Sequence, residues 1–371
     1  MMKENEVRIL VCRECGCILD ETEANLVNFH FDDEGYVCDD CLDEYFRCTH
    51  CGEYYSYNHE WAEDGMEHIC SHCRDNYEIC CDCSQIISSN NAYYFDDECY
   101  CNSCYNSRMN DDLNEIIEEY GYKPEPIFLG DSEDNLYIGV ELEADNGNSY
   151  SAADSISGKF YNDVYLKHDG SLEAGFEIVS HPATLDYHKY ELGWDDIASI
   201  CQNYNMRSHD TKTCGLHCHV SRLFFGIDTD EQDLHIAKLI LLVNKFWETH
   251  IVPFSRRNAF QLDRWAAKPV VDIDVQDTEA QIVDKVKNTK YAGRYQGINL
   301  QNEHTVEFRM FRGTLKLNTL IATLQFVDCI CRYAKAMKLS DIYTINWSDL
   351  FMGTEEQYPE LFIYLKEKNL I

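Results

Sequence analysis

Six CxxC pairs fall in register before Asn110, and no other feature restricts the folding of this chain so strongly. They form three modules: Cys12, Cys15, Cys38 and Cys41; Cys48, Cys51, Cys70 and Cys73; Cys80, Cys83, Cys101 and Cys104. In each, two pairs flank a loop of about twenty residues, which is the spacing of a four-thiolate zinc site. The spacers at 42–47 and 74–79 are equal in length, and FDDEGYVCDDC and YFDDECYCNSC repeat one aromatic and acidic pattern. The modules therefore read as copies of a single small fold. A fold this short cannot bury enough apolar surface to offset its chain entropy, so metal ligation must supply most of its folding free energy. Cys17, Cys81 and Cys99 are surplus and can replace a neighbour as ligand, and spacing alone leaves pairing across modules open. His50 and His72, each inside a CxxC pair, are read as bystanders.

Twenty cysteines would also suit a secreted disulfide scaffold. The start, MMKENEVRIL, has neither an apolar segment nor a small-residue cleavage site, so a reduced, cytoplasmic protein is expected. The longest apolar stretch, IAKLILLV at 236–243, is too short to span a bilayer. With 66 acidic against 31 basic residues the formal charge is -35, which repels phosphate backbones and anionic lipid alike. Neither nucleic acid nor membrane is expected as a partner.

Beyond the cysteines the pattern changes. Residues 1–110 are read as the zinc modules, 111–130 as a connection with a helix at 111–120, and 131–371 as one larger domain. Strand-like segments lie at 136–143, 164–167, 176–180, 216–221, 297–301 and 305–312. Helical periodicity covers 185–203, 230–250, 278–290 and 317–338. Strands that cluster instead of alternating with helices predict an α+β fold, a mostly antiparallel sheet with helices on one face.

Three of these strands carry a chemical face. In LYIGVELEAD, Leu136, Ile138, Val140 and Leu142 alternate with Glu141 and Glu143. In GLHCHVSR the apolar set leaves His217 and His219 on the other side, and in HTVEFRMFRG it leaves Glu307, Arg309 and Phe311. A two-residue period thus presents carboxylates, imidazoles and a guanidinium from buried strands. Carboxylates suit Mg²⁺, which keeps part of its water and shares substrate phosphates, and Arg grips phosphate oxygens in a forked geometry. No Walker or GxGxxG sequence occurs, so a nucleotide here needs another cradle.

From Leu136 to Asp328 the chain resembles the amidoligase family of the glutamine synthetase and glutamate-cysteine ligase superfamily. The resemblance rests on IGVELE, KHDGSLEAGFEIVSHP, CGLHCHVSR and NLQNEHTVEFRMFRGTL, in the family's order. It implies a glutamine synthetase-like catalytic sheet and a Mg²⁺- and ATP-dependent carboxylate–amine ligase that works through an acyl phosphate. It further implies that Glu141, His217 and Glu307 bind the metal bridging the nucleotide phosphates, and that Glu143, Asp169 and Glu177 bind a second metal. His219 would contact nucleotide or substrate, Arg309 and Arg312 the migrating phosphoryl charge, and Glu173 is a further catalytic candidate. Arg294 and Asn299 match an arginine and an asparagine of the amidoligases and would bind the nucleotide.

The zinc modules replace the domain with which glutamine synthetases complete a neighbour's site, so ring assembly and free ammonia are not carried over. A peptide or protein amine fits as well, with the modules as a docking element. Two other readings compete: a zinc-dependent interaction adaptor with an inactive ligase-like domain, and a hydrolase that holds zinc on His217 and His219. Cys214 and Cys218 are read as packing residues.

Overall fold

The computed structural model describes residues 10–22, 24–30, 33–95, 97–274 and 276–371, apart from the side chains of 30 and 110–115. Residues 1–9, on which the expectation of no leader rests, lie outside the described residues, as do 31, 32 and 96 of the repeated FDD motifs. The chain divides into two compact units, Met1–Asp112 and Leu113–Ile371.

In the N-terminal unit each module is built on the same tight turn. The amides of Cys12, Cys48 and Cys80 donate to the carbonyls of Cys17, Glu53 and Gln85 at 2.8, 2.9 and 3.0 Å. The amides of Gly16, Gly52 and Ser84 donate back to the same cysteines' carbonyls at 2.9, 2.8 and 2.9 Å. The residue closing the turn is left-handed each time, with φ of 76°, 77° and 59°. Glycine adopts that conformation without strain, whereas the Cβ of Ser84 crowds the following carbonyl.

The spacers repeat as well: a 3-10 turn, Asp39–Glu44 or Arg74–Asn76, leads into a short strand, Tyr45–Arg47 or Tyr77–Ile79. Nor are the modules independent beads. Strand Asn25–His30 of the first pairs in parallel with Tyr54–Ser56 of the second. The Ile86 amide of the third donates to Asp64 of the second at 3.0 Å, and Ile86 shares an apolar cluster with Phe46, Tyr55 and Ile69.

The C-terminal unit is organised by a sheet that, among the described residues, has six strands. These are β1 (Ile138–Ala144), β2 (Val164–Lys167), β3 (Phe176–Ser180), β4 (Gly215–Ser221), β5 (Ile298–Asn299) and β6 (Thr305–Arg312), in the order β2-β3-β1-β4-β6-β5. Every neighbouring pair is antiparallel. The protein is thus a mixed α/β chain with cysteine clusters at its N-terminal end.

The pleat follows the alternation in the sequence. Ile138, Val140 and Leu142 of β1, Leu216, Cys218 and Val220 of β4, and Val306, Phe308 and Met310 of β6 share one buried core. Leu239 and Leu242 of helix Thr229–Lys245 and Phe326 of helix Leu317–Ala336 belong to the same core. Each large apolar side chain so buried contributes roughly 1.5–3 kcal/mol, which leaves the intervening polar residues only the opposite face.

Phe311 departs from its expected face. A register shift between Leu216 and Cys218 sets Leu216 against Phe311 but Cys218 against Phe308, so β6 carries an extra residue opposite His217. Such a bulge resets the alternation, and Met310 and Phe311 are both fully buried.

Other boundaries move for identifiable reasons. The segment 185–203 is two helices, Leu185–Tyr190 and Trp194–Asn203, parted at Gly193 with φ 81°. The segment 230–250 ends as an α-helix at Lys245 and continues as a π-helical turn, Trp247–Ile251. Strand 297–301 shrinks to Ile298–Asn299. Helices Ser149–Phe160, Ala259–Trp265 and Pro359–Glu367 were not anticipated.

The stretch read as a connection is part of the fold. The helix is Asn102–Ile116, and it ends earlier than expected because Ile117 enters the core and the Glu118 amide pairs with the Leu166 carbonyl at 2.9 Å. Leu129 then bridges to Ala183.

The strained turn of the third module gives a direct test. Ser84→Gly should strengthen that module by about 1 kcal/mol, read as a roughly five-fold tighter hold on zinc when the full chain competes with a chelator. Unchanged retention would contradict this account of the turn.

Candidate metal centres

The cysteines of each module converge. Cys48, Cys51, Cys70 and Cys73 lie with their sulfurs within 4.8 Å of one another, and so do Cys80, Cys83, Cys101 and Cys104. The Cys15–Cys38 and Cys83–Cys101 sulfurs are 3.8 Å apart, the edge of a tetrahedron whose centre is about 2.3 Å from each vertex, as zinc–thiolate bonds require. Backbone amides also favour thiolates: Cys38 N points at the Cys12 sulfur and Cys70 N at the Cys48 sulfur, both at 3.4 Å. The Cys15 and Cys38 amides hold the Cys12 thiol down at about 6. Burial pushes Cys48 and Cys80 up, but amide hydrogen bonds outweigh it and bring them to about 7 and about 6. Because the thiolate is the ligand, these clusters are suited to a structural metal such as zinc.

The first module departs from the spacing-based set. Its converging thiols are Cys12, Cys15, Cys17 and Cys38, while Cys41 also reaches Cys38, Cys15 and Cys12. Five sulfurs thus surround a four-ligand site. Cys17 arrives because it pairs across the turn with Cys12, where the other modules have Glu53 and Gln85. Cys81 and Cys99 stand outside the third module's group of four, and their backbones pair at 2.8 Å.

The second site lies on the polar face of the sheet. Register places Glu141 opposite His217, His219 opposite Glu307 and Glu143 opposite Glu177, so residues remote in sequence become cross-strand neighbours. Glu141 Oε2 is 3.2 Å from His217 Nδ1, and Glu141 Oε1 is 3.3 Å from His219 Nε2. Glu307 Oε1 is 3.9 Å from His219 Nε2 and also pairs with the Arg309 guanidinium. Asn299 and Asn302 donate to the other Glu307 oxygen at 2.8 and 3.0 Å, fixing its orientation. Glu143 accepts from the Gly215 amide at 2.6 Å. A Cβ at position 215 would stand 2.4 Å from Arg257 Nη2 and 2.7 Å from His217 Nε2, so only glycine lets these two groups approach.

The electrostatics divide the face. Burial works against Glu141 and Glu307, yet His219 holds both below the usual carboxylate range, helped by His217 at Glu141 and by Arg309 at Glu307. Burial raises Glu143, and burial together with Glu141 pushes Glu177 up to about 9 despite Lys167 alongside.

Two adjoining cavities, of about 810 and 780 Å³, open over this face and share Tyr120, Asp169, His217, Arg294 and Arg309. The first exposes Glu141, Glu177, His219, Asn299 and Glu307; the second exposes Glu143, Arg257, Trp265 and Tyr295.

Most of the candidate residues therefore meet, those of the first implied group among them, since His217 Nδ1 lies 3.2 Å from Glu141 Oε2 and 4.0 Å from Glu307 Oε1. The donor atoms within 4.8 Å of one another include those of Glu141, His219 and Glu307, and those of Glu141, Glu177 and His217. Asp169 belongs to neither; it lines both cavities while its carboxylate accepts from the Ser171 amide at 2.7 Å. Arg294 donates to the hydroxyls of Tyr120 and Tyr295 at 2.6 and 3.0 Å.

Glu173 and Arg312 are not brought to the cleft. The Glu173 and Ala174 amides are tied to the buried carboxylate of Asp145 at 3.1 and 2.9 Å, leaving the Glu173 side chain exposed. Arg312 follows the bulge to a place opposite Gly215, where it donates to the Thr211 carbonyl at 3.4 Å.

Four residues were missed. Lys167 had no partner in the sequence pattern, Arg257 and Trp265 lie far from any motif, and Tyr120 sat in the supposed connection. No family model matches this chain, and no curated protein matches it.

The crowded first module makes a prediction. Cys17→Ser and Cys41→Ser should each leave zinc content at its wild-type value, because the other thiol completes the site, whereas the double variant loses one zinc per chain by elemental analysis. Loss in either single variant would identify the true fourth ligand and refute the exchange.

Proposed function

We propose that the C-terminal unit is an ATP- and Mg²⁺-dependent carboxylate–amine ligase with a glutamine synthetase-like sheet, forming an amide or peptide-like bond. The observation that carries this reading is the register: Glu141 faces His217 and Glu307 faces His219 across adjacent strands, on the side of the sheet that opens into the cleft.

The residues fit a hard divalent cation and a polyphosphate. Carboxylate oxygens and imidazoles border an open space, as a cation that retains water needs. Arg309 Nε is buried without a hydrogen-bond partner, so it keeps capacity for a ligand, and His219 Nε2 faces the Glu141 and Glu307 carboxylates at 3.3 and 3.9 Å. Bound Mg²⁺ would offset charge on a phosphoryl group in transfer. The chain's own contribution is orientation: Asn299 and Asn302 hold Glu307, Glu307 holds Arg309, and the Gly215 amide holds Glu143. Arg309, Arg257 and Arg294 then offer guanidinium groups along the cleft, suited to phosphate and carboxylate oxygens.

Such chemistry needs no side-chain nucleophile. Burial raises the thiol of Cys218 and pushes Cys214 up to about 12, which disfavours the reactive thiolate. Cys218 is fully buried among the core side chains, as a packing residue would be.

The test is calorimetric titration of ATP into the zinc-loaded chain with and without Mg²⁺. Binding should require Mg²⁺ and weaken at least ten-fold in Glu307→Gln, with zinc content unchanged. ATP binding that ignores both Mg²⁺ and the substitution would refute the site. An absence of binding would favour an adaptor whose ligase-like unit is inactive.

A further inference from the structure

Lys167 bears on how many cations the cleft can take, and the argument rests on reading that cleft as a divalent-cation site. It ends β2 directly opposite Glu177 of β3, and its Nζ lies 3.2 Å from Glu177 Oε2, with side-chain exposures of 10% and 4%. On its other side the Lys167 backbone bridges to Glu118, and the Tyr120 ring centre is 5.9 Å from the ammonium. The side chain therefore has a paired backbone at its root and an aromatic wall at its tip.

The resemblance assigns Glu177 to a second metal. An ammonium already at hydrogen-bonding distance from that carboxylate supplies a positive charge there. A divalent ion on the same buried oxygens would be forced against it with little water between to screen the repulsion. Asp169 does not compensate, since its carboxylate closes the turn onto the Ser171 amide. Two groups of donors converge, Glu141 with His219 and Glu307 and Glu141 with Glu177 and His217. They share Glu141, whose ion-pair partners among the described residues are the two imidazoles. A cation held by the first group, where Arg309 pairs with Glu307 alone, therefore leaves the second only one carboxylate, Glu177, which is already paired with Lys167.

We propose that Lys167 is a tethered cation standing in for the second metal, so that the cleft binds a single divalent ion, at Glu141, His219 and Glu307. A fixed ammonium neither exchanges nor depends on metal supply. It would leave one metal, one lysine and the cleft arginines to face the phosphates.

Mn²⁺ is a suitable probe, because the loss of its free electron paramagnetic resonance signal counts bound ions without turnover or nucleotide. Each zinc-loaded full-length protein is compared with the same protein carrying Glu141→Gln, which subtracts ions held by the acidic surface. The wild type should show one cleft ion per chain, Lys167→Gln two, and Lys167→Arg one. Two ions in the wild type would overturn the proposal while leaving the cation site intact, as would a folded Lys167→Gln that stays at one. No Glu141-dependent ion in the wild type would overturn both this proposal and the reading beneath it.

Discussion

The C-terminal unit depends on how one sheet face carries negative charge out of water. Glu143, Glu177 and Glu307 are buried and Glu141 nearly so, and an ionised carboxylate removed from water without a partner costs several kcal/mol. The fold answers by interleaving opposite charge: imidazoles from β4, Arg309 from β6, Lys167 from β2 and Arg257 from the segment before helix Ala259–Trp265. Neutralisation is incomplete, since Glu177 and Glu143 are still pushed upward by burial. A carboxyl pushed upward holds its proton more readily, and a bound cation can take that proton's place, which is the physical basis for treating this cleft as a functional site.

The N-terminal unit gathers potential metal ligands of a different kind. There sulfur donors close around small modules that have little core of their own, and pairing between modules distributes stability along the array. The oxygen and nitrogen donors of the cleft, by contrast, stand on strands already fixed by a large apolar core. A metal held by the first environment would contribute folding free energy, whereas one held by the second would add little to a scaffold already in place.

Much of this was legible in the residues, for reasons that can be named. A period of two marks a half-buried strand, so the faces of β1 and β4 followed from LYIGVELEAD and GLHCHVSR alone. Thiol spacing marked the modules. What escaped were effects that depend on tertiary pairing. The bulge in β6 that buries Phe311 and redirects Arg312 exists only against β4. Glu173 looked like part of the acidic set until Asp145 captured its amide. Lys167 became a cleft residue only once β3 lay beside it. Gly121 and Pro124 signal a break in helix but not that the broken segment forms a wall of the cavity.

The most direct test of the central claim is a crystal structure of the chain grown with Mn²⁺ and a non-hydrolysable ATP analogue, using the anomalous signal to place the metal. The account predicts metal density among Glu141, His219 and Glu307, with the nucleotide phosphates on the cleft side towards Arg309. Metal held by the two histidines without the carboxylates, or nucleotide bound away from this sheet face, would contradict it.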